Sequence, residues 1–141
     1  MKVSIVTICF NSEETIKDAL ESVVAQTYPE IEYIIVDGNS NDNTLAIVNE
    51  FKDNIAKIIS EKDKGIYDAM NKGVREATGD VIGILNSDDL YTNKHVVANM
   101  VKAMSGADAV YADLVYVSRE DTGQITRSWK AGAYKEGLFK K

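Results

Sequence analysis

The chain has 141 residues, 45% of them apolar and 27% charged, enough to bury one sizeable core and too short for two ordinary domains. Its formal net charge of −6, from 22 acidic against 16 basic residues with no block of like charge, argues against a nucleic-acid or anionic-membrane surface. A single cysteine, Cys9, excludes an intrachain disulfide or thiolate metal cluster and favours a reducing, cytoplasmic setting.

The run from Val3 to Phe10 is rich in β-branched residues and predicts a strand. It is far shorter than the about 18 apolar residues of a membrane span and shows no cleavage-site pattern, so neither export nor a transmembrane segment is expected. Asn11 or Ser12, with Glu14 following, predicts the cap of a helix whose Ile16, Ala19, Leu20, Val23 and Val24 share one face, with Pro29 marking its end. Ile31 to Val36 predicts a second strand, halted by the polar loop Asp37 to Asn43, and Thr44 to Phe51 a helix.

Ala56 to Ser60 predicts a third strand, and Glu61 to Lys64 a charged loop. Ile66, Ala69, Met70, Gly73, Val74 and Ala77 then keep helical spacing, with Gly79 as the expected terminator and Tyr67, Asp68, Asn71 and Lys72 facing solvent. Val81 to Leu85 predicts a fourth strand running into Asn86-Ser87-Asp88-Asp89, and about Lys94 to Met104 a helix. Ala109 to Val117 and Gln124 to Trp129 predict two strands around the turn Asp121-Thr122-Gly123, and Ala131 to Lys141 a loop or tail. Strands alternating with helices imply right-handed crossovers and one α/β domain over residues 1–141, its mostly parallel sheet covered by helices on both faces.

In such sheets ligands bind beyond the carboxyl ends of the strands. Those ends carry Ile8, Cys9 and Phe10, then Asp37, then Glu61 and Asp63, then Asp88 and Asp89, so carboxylates gather along one edge. Gathered carboxylates raise one another's pKa unless a cation or hydrogen-bond donors are supplied. Magnesium or manganese, often held by one or two protein carboxylates and substrate phosphates, suits Asp88 and Asp89. Neighbouring residues diverge, so one aspartate is expected to face a ribose and the other the metal. Asp37 could accept hydrogen bonds from a base or ribose.

Turn and helix-cap chemistry explains Asp37-Gly38 and Ser87-Asp88-Asp89 about equally well. His95, at a helix start, reads as structural, and Cys9 as a small buried residue with no histidine near it in sequence. No glycine-rich dinucleotide fingerprint or Walker lysine loop follows the first strand, which argues against nicotinamide-dependent and P-loop chemistry, and no nucleophile elbow is present. A phosphorylated receiver domain would want acidic residues after the first strand, and Ile8 to Asn11 offers none.

Several segments together resemble glycosyltransferase family 2, the inverting enzymes of the Rossmann-like GT-A fold. They are Val3 to Thr7 through Asn11, Gln26-Thr27-Tyr28-Pro29, Tyr33 to Thr44, Asp63 to Gly73, and Leu85 to Asp89, which falls where the family carries its DXD motif. The resemblance implies a nucleobase site lined by the backbone around Ile8 and Phe10, with Asp37 on the base, Asp63 and its helix bordering the nucleotide, Asp88 on the ribose and Asp89 on the metal. It implies manganese or magnesium as cofactor, a nucleotide-diphosphate sugar, UDP-linked by family habit, as donor, and a saccharide or lipid-linked acceptor. The expected role is polysaccharide or glycoconjugate assembly, in the cytoplasm or peripherally at the inner face of the membrane, with homo-oligomers left open. The family often has Pro, Thr and Tyr where this chain has Ile8, Cys9 and Phe10.

Nothing after Trp129 matches the family's acceptor segment with its acidic general base, so the chain is expected to be C-terminally truncated relative to the family. Asp113 and Glu120 are candidates for a base only in being acidic. By the family's mechanism an acceptor hydroxyl displaces the diphosphate at the anomeric carbon with inversion, the metal stabilising the leaving group. A donor-binding fragment or subunit, inactive alone, is the alternative.

Overall fold

A computed structural model of the chain describes residues 1–133. The chain, expected to form one domain over 1–141, divides into two compact units, Met1–Val101 and Lys102–Lys141. Of the expected tail, residues 131–133 carry no regular structure and the remainder lies outside the described residues.

The first unit runs β1 (Val3–Cys9), α1 (Ile16–Val24), β2 (Ile31–Asp37), α2 (Thr44–Glu50), β3 (Lys57–Ser60), α3 (Ile66–Glu76), β4 (Val81–Asn86) and α4 (Val96–Ala103), which reaches just past its boundary. The strands form one parallel sheet in the order β3-β2-β1-β4, as the alternating pattern predicts. The chain steps outward from β1 to β2 and β3, then returns to the other side of β1 as β4. That reversal makes the gap between β1 and β4 the point where loops diverge and a crevice opens.

Strand alternation sends successive side chains to opposite faces, and each face has its own core. Val3, Ile5 and Cys9 of β1 join Tyr33, Ile35 and Leu85 under Ile16, Leu20, Val23, Val48 and Val97 from α1, α2 and α4. Val6, Ile8, Ile34 and Val36 face the other way, against Ala69 and Met70 of α3. The middle strands β1 and β2 are buried on both sides, hence their unbroken apolar runs.

Polar side chains fasten the amino-terminal end of the sheet. Register places Ser4 beside Glu32, and the Glu32 carboxylate accepts hydrogen bonds from Lys2 Nζ at 2.6 Å, Ser4 Oγ, and the backbone N–H of Thr78 at 2.8 Å. Burial alone would raise its pKa, but these donors outweigh it and hold the carboxyl down at about 2. The loop before β4 crosses here so closely that a Cβ on Gly79 would stand 2.7 Å from the backbone nitrogen of Ser4. Gly79 is therefore small because another strand is close. It does not terminate α3, which ends through Ala77 in an extended conformation.

The caps also differ from expectation. Thr15 precedes α1 without a side-chain cap, because Asn11 and Ser12 direct their groups to a neighbouring loop instead. In the second unit β5 (Leu114–Val117) and β6 (Ile125–Trp129) form an antiparallel hairpin, with Arg127 over the rings of Tyr116 and Trp129 at 5.6 and 5.9 Å.

Glu32→Gln should cost about 1–3 kcal/mol in urea denaturation at neutral pH, because it removes the charge and turns one acceptor into a donor. The folded-state pKa lies below the ordinary value of 4.5, so the stabilisation is complete above that pH and is lost as pH falls towards 2. The difference between wild type and variant should shrink across that window; a pH-independent difference would contradict the charge-based account.

Candidate functional site

Asp37 ends β2 between Cys9 of β1 and Ser60 of β3 in the sheet register, and its side chain is fully buried. A buried carboxylate must be compensated by donors. Ser60 Oγ donates to Oδ2 at 2.7 Å, the Ser40 backbone N–H to Oδ2 at 3.1 Å, and Ser40 Oγ to Oδ1. The Cys9 thiol approaches Oδ1 at 3.8 Å; burial first, and the Asp37 charge second, push that thiol up to about 12. It stays protonated and donates, which agrees with a structural cysteine.

This hub fixes the loop after β2, which in turn fixes the loop after β1. Ser40 Oγ also accepts from the Asn11 backbone N–H at 2.8 Å, and Asn11 Oδ1 accepts from Asn41 N at 3.0 Å. Glu13 bridges to Asn43, and the Ser12 backbone N–H donates to Thr44 Oγ1 at 2.7 Å. Asn11 and Asn39 adopt φ of 49° and 68°, a left-handed conformation asparagine tolerates better than most residues. Ser12 Oγ also meets Ser87 Oγ at 2.9 Å, tying the loop after β1 to the loop after β4.

Between those loops lies a pocket of about 460 Å³ lined by Ile8, Cys9, Phe10, Ser12, Asp63, Ile66, Ala69, Asn86, Ser87 and Asp88. The structure thus gathers Ile8, Phe10, Asp63 and Asp88 of the expected site at the reversal of strand order. Phe10 is 60% exposed, offering a ring to the pocket. Asp63 accepts from the Gly65 backbone N–H at 2.9 Å, and a Cβ on Gly38 would fall 2.6 Å from its Oδ2 and 3.3 Å from the Phe10 ring. A side chain at 38 would have to push the Asp63 carboxylate aside and press on the Phe10 ring.

Asp37 and Asp89 are placed differently. Asp37 shares the α1 and α2 face of the sheet with Cys9, opposite the face of Ile8, and is not among the pocket-lining residues. Asp89 is exposed, outside the lining, and accepts from Asn86 Nδ2 at 3.0 Å. Sequence reasoning did not single out Asn86, Ser12, Ile66 or Ala69 as site residues. Ser12 reads as a cap and the helix positions as a core face, and only the strand order brings them together.

Among the described residues no group of three or more His, Cys, Asp or Glu could hold a metal by itself. Asp88 and Asp89 at the end of β4 supply hard oxygen donors, with the buried Asn86 Oδ1 lacking a hydrogen-bond partner beside them. That set fits a magnesium or manganese ion shared with a phosphate-bearing ligand, and does not fit an all-protein cage.

The remaining candidates are structural. His95 Nδ1 contacts Thr27 Oγ1 at 3.1 Å, and Gln26 joins Asn93 O to Val97 N at the start of α4; residues of the Gln26 to Pro29 motif thus tie the segment after α1 to the start of α4. Tyr67 is 78% exposed as expected. Lys72 instead is largely covered, its Nζ bonded to Lys62 O at 2.9 Å and paired with Glu61 at 3.0 Å, which braces the loop bearing Asp63. In the second unit Asp113 is held below the usual carboxylate range by hydrogen bonds from Lys130 and Ala131, a poor setting for a base. No helix among the described residues is long and apolar enough to cross a membrane.

A family model described as Glycosyl transferase family 2 matches residues 4–141. An uncharacterized glycosyltransferase of Mycobacterium tuberculosis (strain CDC 1551 / Oshkosh) is 40% identical over 109 residues, 77% of this chain and 42% of that protein. A PGL/p-HBAD biosynthesis glycosyltransferase of Mycobacterium bovis (strain BCG / Pasteur 1173P2) is 36% identical over 118 residues, 79% of this chain and 46% of that protein. Among solved structures, S. aureus TarS 1-349 in complex with UDP-GlcNAc aligns with a TM-score of 0.68 at 27% identity, covering 75% of this chain and 32% of that one. The mannosyltransferase PcManGT from Pyrobaculum calidifontis, in complex with GDP-Man and Mn2+, aligns with a TM-score of 0.69 at 25% identity, covering 86% and 37%. The fold is the GT-A-like α/β arrangement, and the chain spans less than half the length of these curated relatives.

Asp37→Asn should destabilise the chain by about 1–3 kcal/mol, since one amide hydrogen pair would face the Ser40 and Ser60 donors. Ser60→Ala, which removes a single donor, should cost about 0.5–1.5 kcal/mol. Urea denaturation reads both, and a neutral Asp37→Asn would contradict the hub.

Proposed function

The chain belongs to glycosyl transferase family 2, and from that premise we propose that the pocket between β1 and β4 is the donor site of an enzyme transferring sugar from a nucleoside diphosphate to an acceptor hydroxyl. The observation that carries this reading is the convergence of Phe10, Asp63, Asn86 and Asp88 on one crevice at the reversal of strand order. A ring, an acceptor near it and carboxylates in the same crevice suit a base, a ribose and, through a divalent cation, a diphosphate. TarS, with its UDP-GlcNAc, supports uridine as the base.

In this reading Phe10 packs against the base, and Asp63 accepts a hydrogen bond from a base N–H. The Ile8 backbone borders the base, and Asp88 receives the ribose hydroxyls. Asp37 acts by shaping the loop under the base, because its oxygens are taken by Ser40 and Ser60 and it is shut from solvent. Asp89 would hold magnesium or manganese, which when bound would offset charge on the departing diphosphate. The acceptor hydroxyl attacks the anomeric carbon opposite the diphosphate as the bond to phosphate breaks, inverting the centre, with its proton passing to a base.

Transfer in glycoconjugate assembly, to a saccharide or lipid-linked acceptor, is proposed for an enzyme of the relatives' length. For the 141 residues the claim is donor binding. Neither Asp113 nor Glu120 is assigned as base.

Calorimetric titration of uridine diphosphate with manganese should show binding that weakens about ten- to a hundredfold in Asp89→Ala, the loss of one charge-assisted contact. Equal affinity with and without manganese, in both proteins, would contradict the metal role. Gly38→Ala should weaken nucleotide binding about tenfold without metal dependence, because its Cβ displaces Asp63. Unchanged affinity would remove Asp63 from the base site.

A further inference from the structure

The hairpin of the second unit carries a surface that the donor pocket does not use. In its register Leu114 stands opposite Trp129 and Tyr116 opposite Arg127. Alternate residues of a strand share a face, so these two cross-strand pairs lie side by side on one face of the hairpin, and the Arg127 guanidinium over both the Tyr116 and the Trp129 rings agrees with that. Leu114, Tyr116 and Trp129 are 60%, 47% and 52% exposed. A lone two-stranded hairpin is marginal in water, and a contiguous apolar face left open on one marks a contact surface.

Charge selects what would cover it. Arg127 sits among the apolar side chains and pairs with no carboxylate of the described residues; its contacts are the two rings. The nearby Asp113 is already neutralised by Lys130 at 2.8 Å, and Glu120 and Asp121 lie at the turn, the opposite end of the hairpin from Leu114 and Trp129. The face therefore suits a partner that brings an anion to an apolar boundary. A second copy joined by a twofold axis through this face would set Arg127 near its own mate, like charge on like. A neutral sugar would leave the guanidinium without a counter-charge.

The chain as a whole divides in the same sense. Residues 102–141 carry seven Lys and Arg against five Asp and Glu, and residues 1–101 nine against seventeen. The acidic balance that counts against an anionic membrane belongs to the first unit alone. Tryptophan and tyrosine settle at the headgroup level of a bilayer, and a basic side chain beside them meets lipid phosphate.

We propose that this face of the hairpin docks the chain on an anionic lipid surface, with Leu114, Tyr116 and Trp129 entering the headgroup boundary and Arg127 pairing with lipid phosphate. The proposal stands apart from the donor pocket, since vesicle binding is read without nucleotide.

Trp129 is the single tryptophan of the chain, so its fluorescence reports on this face directly. With the full chain, vesicles of phosphatidylcholine and phosphatidylglycerol should shift the emission to the blue, acyl-chain-brominated lipid should quench it, and raised salt should reverse both. Vesicles of phosphatidylcholine alone should bind more weakly. Arg127→Gln should weaken binding to the mixed vesicles about fivefold, the contribution of one basic residue near such a surface, and Arg127→Lys, which keeps the charge, should restore it. The quenching is read on wild type, so the proposal stands or falls even where a variant unfolds.

Emission that the mixed vesicles leave unchanged overturns the proposal, as does vesicle binding that a folded Arg127→Gln retains in full. Emission that shifts with protein concentration alone, together with a rising sedimentation coefficient, overturns it in favour of a second copy. A shift produced by chito-oligosaccharide and not by vesicles overturns it in favour of a sugar.

Discussion

The carboxylate of Asp37 is a charge sealed from solvent and held by hydroxyl and amide donors, and the strand-end loops take their shape from that requirement. Each donor comes from a different part of the chain: Ser60 from β3, Ser40 from the loop after β2, Cys9 from β1. Ser40 passes the constraint to Asn11, and Ser12 passes it to Ser87 at the end of β4. Loops carrying pocket residues are thereby fixed to one another without a helix or disulfide between them. Preorganisation of this kind reduces the ordering cost of binding.

Polar fastening at both ends also resolves a difficulty of parallel sheets. The strands are apolar on both faces, so the sheet interior specifies register only through packing. Glu32 fastens the amino-terminal ends and Asp37 the carboxyl ends, and together they fix which residues stand level. That register brings Asn86 beside Ile8 at the wall of the crevice. Charge at one end serves the sheet alone, and charge at the other serves the sheet and the site.

Much of the fold was legible because its signals are periodic. The apolar runs of β1 and β2, the helical spacing from Ile16 to Val23 and the turn at Asp121 to Gly123 each name their element. Caps were not legible: Asn11 and Ser12 have cap chemistry, but Asn11 Oδ1 accepts from the Asn41 backbone N–H and Ser12 Oγ meets Ser87 Oγ. Gly79 and Gly38 illustrate the same limit, since each is small for a neighbour distant in sequence. Asp63 and Asp88 could be expected near one another because strand ends carry ligands in this architecture, and both line the pocket. Asp37 has the same residue type and a similar position, yet alternation turns it to the opposite face, a matter of one residue in register. Asn86 stood inside a recognisable segment but was overshadowed by the acids beside it; its signal is an unmet acceptor, which only packing reveals.

The central claim is that the crevice between β1 and β4 holds a nucleoside diphosphate, and nuclear magnetic resonance of the 15N-labelled chain titrated with uridine diphosphate and magnesium tests it most directly. The account predicts amide shifts concentrated at Phe10, Ser12, Asp63, Ile66 and Asn86 to Asp88, saturating together. Saturable binding that leaves those amides unmoved and shifts the hairpin from Leu114 to Trp129 instead would contradict it.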